Sequence, residues 1–261
     1  MTDLVTVETP GGAFLALAGD LITRQLSRFG AHAGAELGLL AAVLRPGDAV
    51  LDIGAHIGTF AVPLARVVGV DGTIVCFEPG PSTFELLDTN VELNGLGRIV
   101  TTRRLAVGAT AGRFRWITPE ADNTGASYLE PAEDGPVAAV TLDAWMDRNR
   151  WLDRLDLLKI DTEGMELAVL IGAAATLSGY APMVYAEIAE EQLQRAGASS
   201  AEVETVLVDR GYRFFRNVGD RHGGPTGFHL VEIPSLASDE LFDVLAVPEH
   251  RFDRVSPLVA A

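Results

Sequence analysis

Four acidic residues and one histidine late in the chain have the side chains that proton transfer requires: Asp161, Glu163, Glu166 and Glu187, with His222 in Asp220-Arg221-His222-Gly223-Gly224. A positioned carboxylate or imidazole can take the proton from a hydroxyl and make it a better nucleophile, the work of a general base. The candidate catalytic residues are therefore Asp161, Glu163, Glu187 and His222. Clustered carboxylates also suit a hard divalent cation, but no ligand spacing marks one, and no metal is expected. A second group lies far upstream. The apolar run Val50-Leu51-Asp52-Ile53 leads into Gly54-Ala55-His56-Ile57-Gly58, and the next apolar run ends in Phe77-Glu78-Pro79. Glycines let backbone approach a ligand closely, and a carboxylate at a strand end can accept hydrogen bonds from two ribose hydroxyls. This is the layout of a nucleoside crevice in an open α/β sheet.

Both groups need strands that end at a common edge, and the hydrophobic pattern supplies them. Residues 13–44 carry a helical pattern ended by Pro46-Gly47. Strands are then expected at Ala49–Ile53, Thr73–Phe77, Ile99–Val107, Leu155–Ile160 and Met183–Ile188, alternating with helices Thr59–Val68, Ser82–Asn94, Leu142–Arg148, Glu163–Leu177 and Ala201–Arg210. Asp161 and Glu163 flank a strand-to-helix junction, where a helix dipole favours carboxylates. Short runs separated by Gly, Pro, Asn and Asp at 109–140 read as an inserted hairpin or meander. Within it, Asn123–Ser127 is expected to shape an acceptor pocket. Tyr212–Arg216 and Gly227–Ile233 have no helical pattern between them and should pair as an antiparallel hairpin. The expectation is a Rossmann-like α/β fold: a seven-stranded mixed sheet of five parallel strands plus the terminal hairpin, with helices on both faces. Residues 1–45 form a helical segment packing on the core domain of 46–233, and 234–261 form a tail.

Bulk properties bound the class. The chain has 261 residues, 48% of them hydrophobic and 21% charged, which suits one globular domain with a sizeable core. Its formal net charge of −16 repels a phosphate backbone, so a nucleic-acid partner is not expected. Arg103, Arg104, Arg113 and Arg115 read as a solvated strand pair. The single cysteine, Cys76, sits in an apolar run and reads as a small buried hydrophobe. With neither a secretory pattern nor a run long enough to cross a membrane, a cytoplasmic protein without a membrane partner is the default. Nothing in the sequence speaks against a homo-oligomer.

The glycine spacing narrows the cofactor. A Gly-x-Gly-x-x-Gly frame starting at Gly54 would need glycines where the chain has His56 and Thr59, so the dinucleotide frame fails. The spacing is instead Asp-x-Gly-x-x-x-Gly, from Asp52 through Gly54 to Gly58, which looks like the first motif of S-adenosylmethionine-dependent methyltransferases. Further strings resemble the FkbM family: Asp52–Gly58, Phe77-Glu78-Pro79, Asn90 and Asn94, Leu158-Lys159-Ile160-Asp161-Thr162-Glu163-Gly164-Met165-Glu166 and Val184-Tyr185-Ala186-Glu187-Ile188. The resemblance runs from about residue 36 to 233, and its specific part is the Lys-Ile-Asp-x-Glu-Gly-x-Glu string. His56 departs from it, standing where such motifs often carry a small polar residue such as Asn.

The resemblance implies a class I methyltransferase fold, S-adenosylmethionine as cofactor, and O-methylation of a hydroxyl on a small molecule, natural product or sugar by in-line displacement. The cofactor-binding residues it implies are Asp52, Gly54, Ala55, His56, Gly58, Glu78, Pro79, Ala106, Val107 and Asp161. Asp52 would organise the glycine loop, Glu78 would hold the ribose, and Ala106 and Val107 would flank the adenine. His56 would line the methionine or acceptor side, or stand as an exposed loop histidine. Glu36 could reach over the cofactor or simply solvate a helix face. The competing readings are a catalytically silent nucleoside-binding partner subunit and an NAD-dependent reductase.

Overall fold

The computed structural model describes residues 3–222, 224, 226–238 and 240–259. The chain opens with a hairpin, β1 (Leu4–Thr9) and β2 (Gly12–Leu17), followed by helices α1 (Leu21–Phe29) and α2 (Gly34–Val43). The helical pattern expected over 13–44 therefore begins only at Leu21; β2 alternates buried and half-buried residues, the period of a strand. Asp20 caps α1 by accepting from the Ile22 N–H at 2.9 Å.

Strict alternation follows: β3 (Ala49–Ile53), α3 (Ala61–Val68), β4 (Thr73–Phe77), α4 (Pro81–Leu93) and β5 (Val100–Arg103). The single strand expected over Ile99–Val107 divides at Arg104-Leu105. Its second part, β6 (Ala106–Val107), joins a separate sheet with β7 (Gly112–Ile117), β8 (Tyr128–Pro131) and β9 (Val137–Val140) in the order β6-β9-β7-β8. The main sheet resumes through α5 (Leu142–Arg148), β10 (Leu157–Ile160), α6 (Glu166–Gly172), α7 (Ala174–Tyr180), β11 (Met183–Ile188), α8 (Glu190–Arg195), α9 (Ser200–Val208), β12 (Tyr212–Asn217), β13 (Leu230–Ile233) and β14 (Phe242–Pro248). The one helix expected over Glu163–Leu177 is two, broken at Ala173.

Among the described residues the main sheet has eight strands, in the order β13-β12-β14-β11-β10-β3-β4-β5, with β11, β10, β3, β4 and β5 mutually parallel. The expected seven-strand count is one short. Tyr212–Asn217 and Leu230–Ile233 do pair antiparallel, but β14 wedges between that pair and β11, antiparallel to both neighbours. The supposed tail over 234–261 thus contains a core strand, buried at all seven positions. A strand covered on both faces reads as a continuous apolar run without the alternation that marks a half-buried one.

Two apolar cores flank the sheet. Val50 packs toward α2, α3 and α4, with Leu40, Leu64 and Leu87 fully buried. Leu51 and Ile53 face α5, α6, α7 and α9, against Leu142, Leu170 and Leu207. Asn90 and Asn94 of α4 dock the N-terminal hairpin by copying a strand's pairing. Asn90 Oδ1 accepts from Leu15 N at 2.7 Å and its Nδ2 donates to Leu15 O at 3.1 Å, while Asn94 does the same with Ala13 at 3.0 and 2.7 Å. Among the described residues, no helix is long and apolar enough to cross a membrane.

Candidate functional site

Register brings the ends of the central strands to one edge: Ile53 lies opposite both Phe77 and Ile160, and Ile160 opposite Ala186. At this carboxyl edge, where open α/β sheets bind ligands, a cavity of about 440 Å³ opens, bounded also by α1 and the small sheet's insertion. Of the residues expected at a cofactor or catalytic site, Gly54, Ala55, His56, Glu78, Pro79, Ala106, Val107, Asp161, Glu163, Glu187 and His222 lie on its wall. Asp52 and Gly58 do not.

The glycine loop turns where β3 ends. Gly54 has φ +81°, and a Cβ there would lie 1.8 Å from the Asp161 carbonyl oxygen, so only glycine fits. The close approach that excludes a side chain is thus to the β10 loop. Gly58, at φ +89°, closes the turn by donating to Ala55 O at 2.8 Å. His56 has φ +51°, and Asn, Asp and His are the non-glycine residues most enriched in the left-handed region. That shared tolerance explains how a histidine stands where Asn is usual.

Glu78 is buried at the end of β4 and fixed by three donors. Oε1 accepts from Gly80 N at 2.8 Å and Thr83 Oγ1 at 2.7 Å, and Oε2 accepts from His56 N at 2.9 Å. A carboxylate has about four acceptor sites, so Oε2 retains one without a donor among the described residues. Burial raises its pKa above the usual carboxyl range.

The His56 ring is locked as well. Asp20 Oδ2 accepts from Thr124 Oγ1 at 2.8 Å, so the single hydroxyl proton is committed, and Thr124 Oγ1 must accept from His56 Nε2 at 2.9 Å. Nδ1 is then a bare acceptor, buried and without a partner among the described residues. Burial lowers the His56 pKa to about 4, which keeps the imidazole neutral.

Asp52 lies behind the loop, buried, with Lys159 Nζ 3.0 Å from its Oδ1 in an ion pair that is off line for a hydrogen bond. The same ammonium is 3.5 Å from Asp161 Oδ2 and 5.0 Å from the Phe60 ring centroid. Burial alone would lower the Lys159 pKa, but the carboxylates of Asp52 and Asp161 outweigh it and raise it. Neither Asp52 oxygen has a hydrogen-bond partner among the described residues, so Asp52 does not hold the glycine loop directly as expected; Lys159 reaches the loop instead, donating to Gly54 O at 3.4 Å.

Asp161, Glu163 and Glu187 bring carboxylate oxygens within 4.8 Å of one another. Glu163 has φ +56° and accepts from Gln192 Nε2 at 2.6 Å; burial, then repulsion from Asp161 and Glu166, pushes it up to about 8. Glu187 Oε1 accepts from both terminal nitrogens of Arg221 at 3.3 Å, yet burial and its acidic neighbours still push it up to about 9. The helix starts at Glu166 rather than Glu163, so residue 163 does not sit in the first helical turn where the dipole was expected to favour its carboxylate. Glu166 instead ties its own loop, accepting from Thr162 N, Thr162 Oγ1 and Gly164 N at 3.0, 2.8 and 3.3 Å. Glu36 is buried off the cavity wall, bonded to Asn217 Nδ2 at 3.2 Å. His222 stacks on Phe29 with ring centroids 4.7 Å apart.

Sequence reading assigned no role to Trp116, Tyr128, His32, Lys159 or Arg221, all of which line the cavity. Asp243, 3.6 Å from Arg221 Nη1, was also missed because its strand was. Register would have found it, since Asp243 lies opposite Glu187. His32 is held near pKa 3, by burial and then by Arg221.

The chain is similar to several known proteins. Methyltransferase sdnD of Sordaria araneosa is 26% identical over 200 residues, covering 64% of this chain and 74% of that protein. Methyltransferase 1 of Beauveria bassiana is 27% identical over 143 residues, 47% of this chain and 57% of its own. Among solved structures, a methyltransferase FkbM from Methylobacillus flagellatus aligns with TM-score 0.46 at 16% identity, covering 76% of this chain but only 43% of that one. TYW2 of M. jannaschii, solved in complex with AdoMet, aligns with TM-score 0.48 at 13% identity over 94% of this chain and 86% of its own. The methyltransferase FkbM domain model matches residues 52–214, well over half of the sequence, and the chain belongs to that family.

Proposed function

We propose that this protein is an S-adenosylmethionine-dependent O-methyltransferase acting on a hydroxyl of a small molecule. The observation that carries the reading is a single cavity joining a nucleoside-type wall, around Glu78, to an acidic wall, around Asp161, Glu163 and Glu187, with His222 beside it. The residues fit the cofactor's chemistry. Glu78 Oε2 offers one acceptor site for a ribose hydroxyl, Pro79, Ala106 and Val107 offer apolar flanks for a base, and the neutral His56 offers a bare Nδ1 acceptor. S-adenosylmethionine supplies a methyl group on a sulfonium, activated for in-line displacement.

The chain's own tasks are to align the acceptor, exclude water and take up its proton. A positively charged group beside Glu163 and Glu187 would bring their raised carboxyl pKa values down, so its binding is coupled to release of their protons. On this reading Asp161, with its side chain 33% exposed, and His222, both on the cavity wall, take up the hydroxyl proton. Isothermal titration with S-adenosylmethionine and S-adenosylhomocysteine tests the cofactor, and a panel of hydroxylated metabolites assayed for methyl transfer tests the reaction. Micromolar binding with O-methyl products is expected, with turnover falling in Asp161→Asn. Absence of binding by either compound overturns the reading, and unchanged turnover removes Asp161 from the proton-transfer role.

A further inference from the structure

A second cavity, of about 330 Å³, adjoins the first and shares two wall residues with it, Thr59 and His222. It lies where the turn of the N-terminal hairpin, the end of α1, the outer side of α2 and the start of α3 meet. Its wall is mostly apolar, built from side chains such as Leu26, Phe29, Leu37, Ala41, Pro63 and Val67. The Phe29–His222 stack stands at the junction of the two cavities. At 440 Å³ the first cavity is in the lower half of the range that holds one drug-sized ligand, so with the cofactor bound there a bulky acceptor needs space beyond it.

We propose that the second cavity is an acceptor subsite for an aliphatic or alicyclic portion of the substrate, presenting the reacting hydroxyl past His222 to the acid cluster. The proposal rests on the methyl-transfer reading for which cavity holds the hydroxyl, but the apolar ligand class follows from this wall alone. The hairpin docked by Asn90 and Asn94 closes one side of the pocket, which gives that N-terminal addition a role in selecting substrate. At about 30 Å³ per methylene-sized group, the space takes roughly ten of them.

The test is isothermal titration of linear 1-alkanols, from 1-butanol to 1-decanol, into the full chain, alone and loaded with S-adenosylhomocysteine. Affinity is expected to rise about fourfold per methylene, the equivalent of ~0.8 kcal/mol per buried CH2, and to level off near the longest chains. Ala41→Phe, which fills the pocket from α2, is expected to remove the dependence on chain length while leaving S-adenosylhomocysteine affinity within twofold. Ala41→Leu, a smaller filling, should only shorten the longest chain that still gains affinity, and serves if the larger variant fails to fold. Chain-length independence in the unaltered protein, or an undiminished dependence in both variants, overturns the subsite. Failure of S-adenosylhomocysteine to bind overturns the methyl-transfer reading instead, and leaves the alkanol result to be read separately.

Discussion

Glu78→Gln changes no volume yet should separate two roles of one side chain. Oε1 accepts from Gly80 N and Thr83 Oγ1, and Oε2 from His56 N, so the amide oxygen will take the doubly occupied position. The amide nitrogen then faces the His56 N–H, donor against donor, and that buried amide loses its partner. One unsatisfied buried donor costs about 1–3 kcal/mol, which at this chain length lowers the melting temperature by roughly 2–10 °C. The free acceptor site on Oε2 becomes a donor at the same time. A hydrogen bond to a charged group contributes about 1.5–3 kcal/mol, so affinity for S-adenosylhomocysteine should fall roughly 10- to 150-fold. Differential scanning fluorimetry reads the first effect and isothermal titration at a temperature where the variant is folded reads the second. A folded Glu78→Gln that binds S-adenosylhomocysteine within twofold of the unaltered protein would refute the ribose assignment, whatever its melting temperature.

Two further predictions concern the charges behind and beside the cavity. Lys159→Met leaves Asp52 as an uncompensated buried carboxylate and should cost about 3–5 kcal/mol in urea denaturation, with most of it recovered in Lys159→Met/Asp52→Leu; a loss under about 1 kcal/mol in the single variant contradicts the pairing. Glu163, held up to about 8 against 4.5 when unfolded, keeps a proton that the unfolded chain releases, so its contribution is fully present below pH 4.5 and is lost as pH rises through 8. The rise from 4.5 to about 8 sets a ceiling of about 5 kcal/mol, and the side chain's partial exposure brings the expectation to about 2 kcal/mol. Denaturation curves of Glu163→Gln at pH 5 and pH 8 should therefore differ by about that much less than those of the unaltered protein; equal pH dependence in the two would show that the Glu163 carboxyl is not held protonated.

Local pattern determined most of the alternation of strands and helices from Ala49 to Ile188, though not the division of Ile99–Val107 between two sheets or the helix break at Ala173, and with it the edge at which Gly54, Glu78, Asp161 and Glu187 meet. These features are legible because parallel strands and amphipathic helices write their burial into short windows, and because a glycine turn and a strand-end carboxylate need specific residue types. Only the tertiary structure decided what lies far apart in sequence. β14 passed for a tail because a strand buried on both faces has no alternation, and its place between β11 and β12 depends on chain some 30 and 60 residues upstream. The state of each acid was equally invisible: Glu163 and Glu187 have the same side chain as Glu166, yet packing lines two of them up at the cavity and spends the third on its own loop. His56 shows both limits at once. Its type fits the left-handed turn, which is local, but its neutral ring and bare Nδ1 follow from Thr124 and Asp20, which only the fold brings to it.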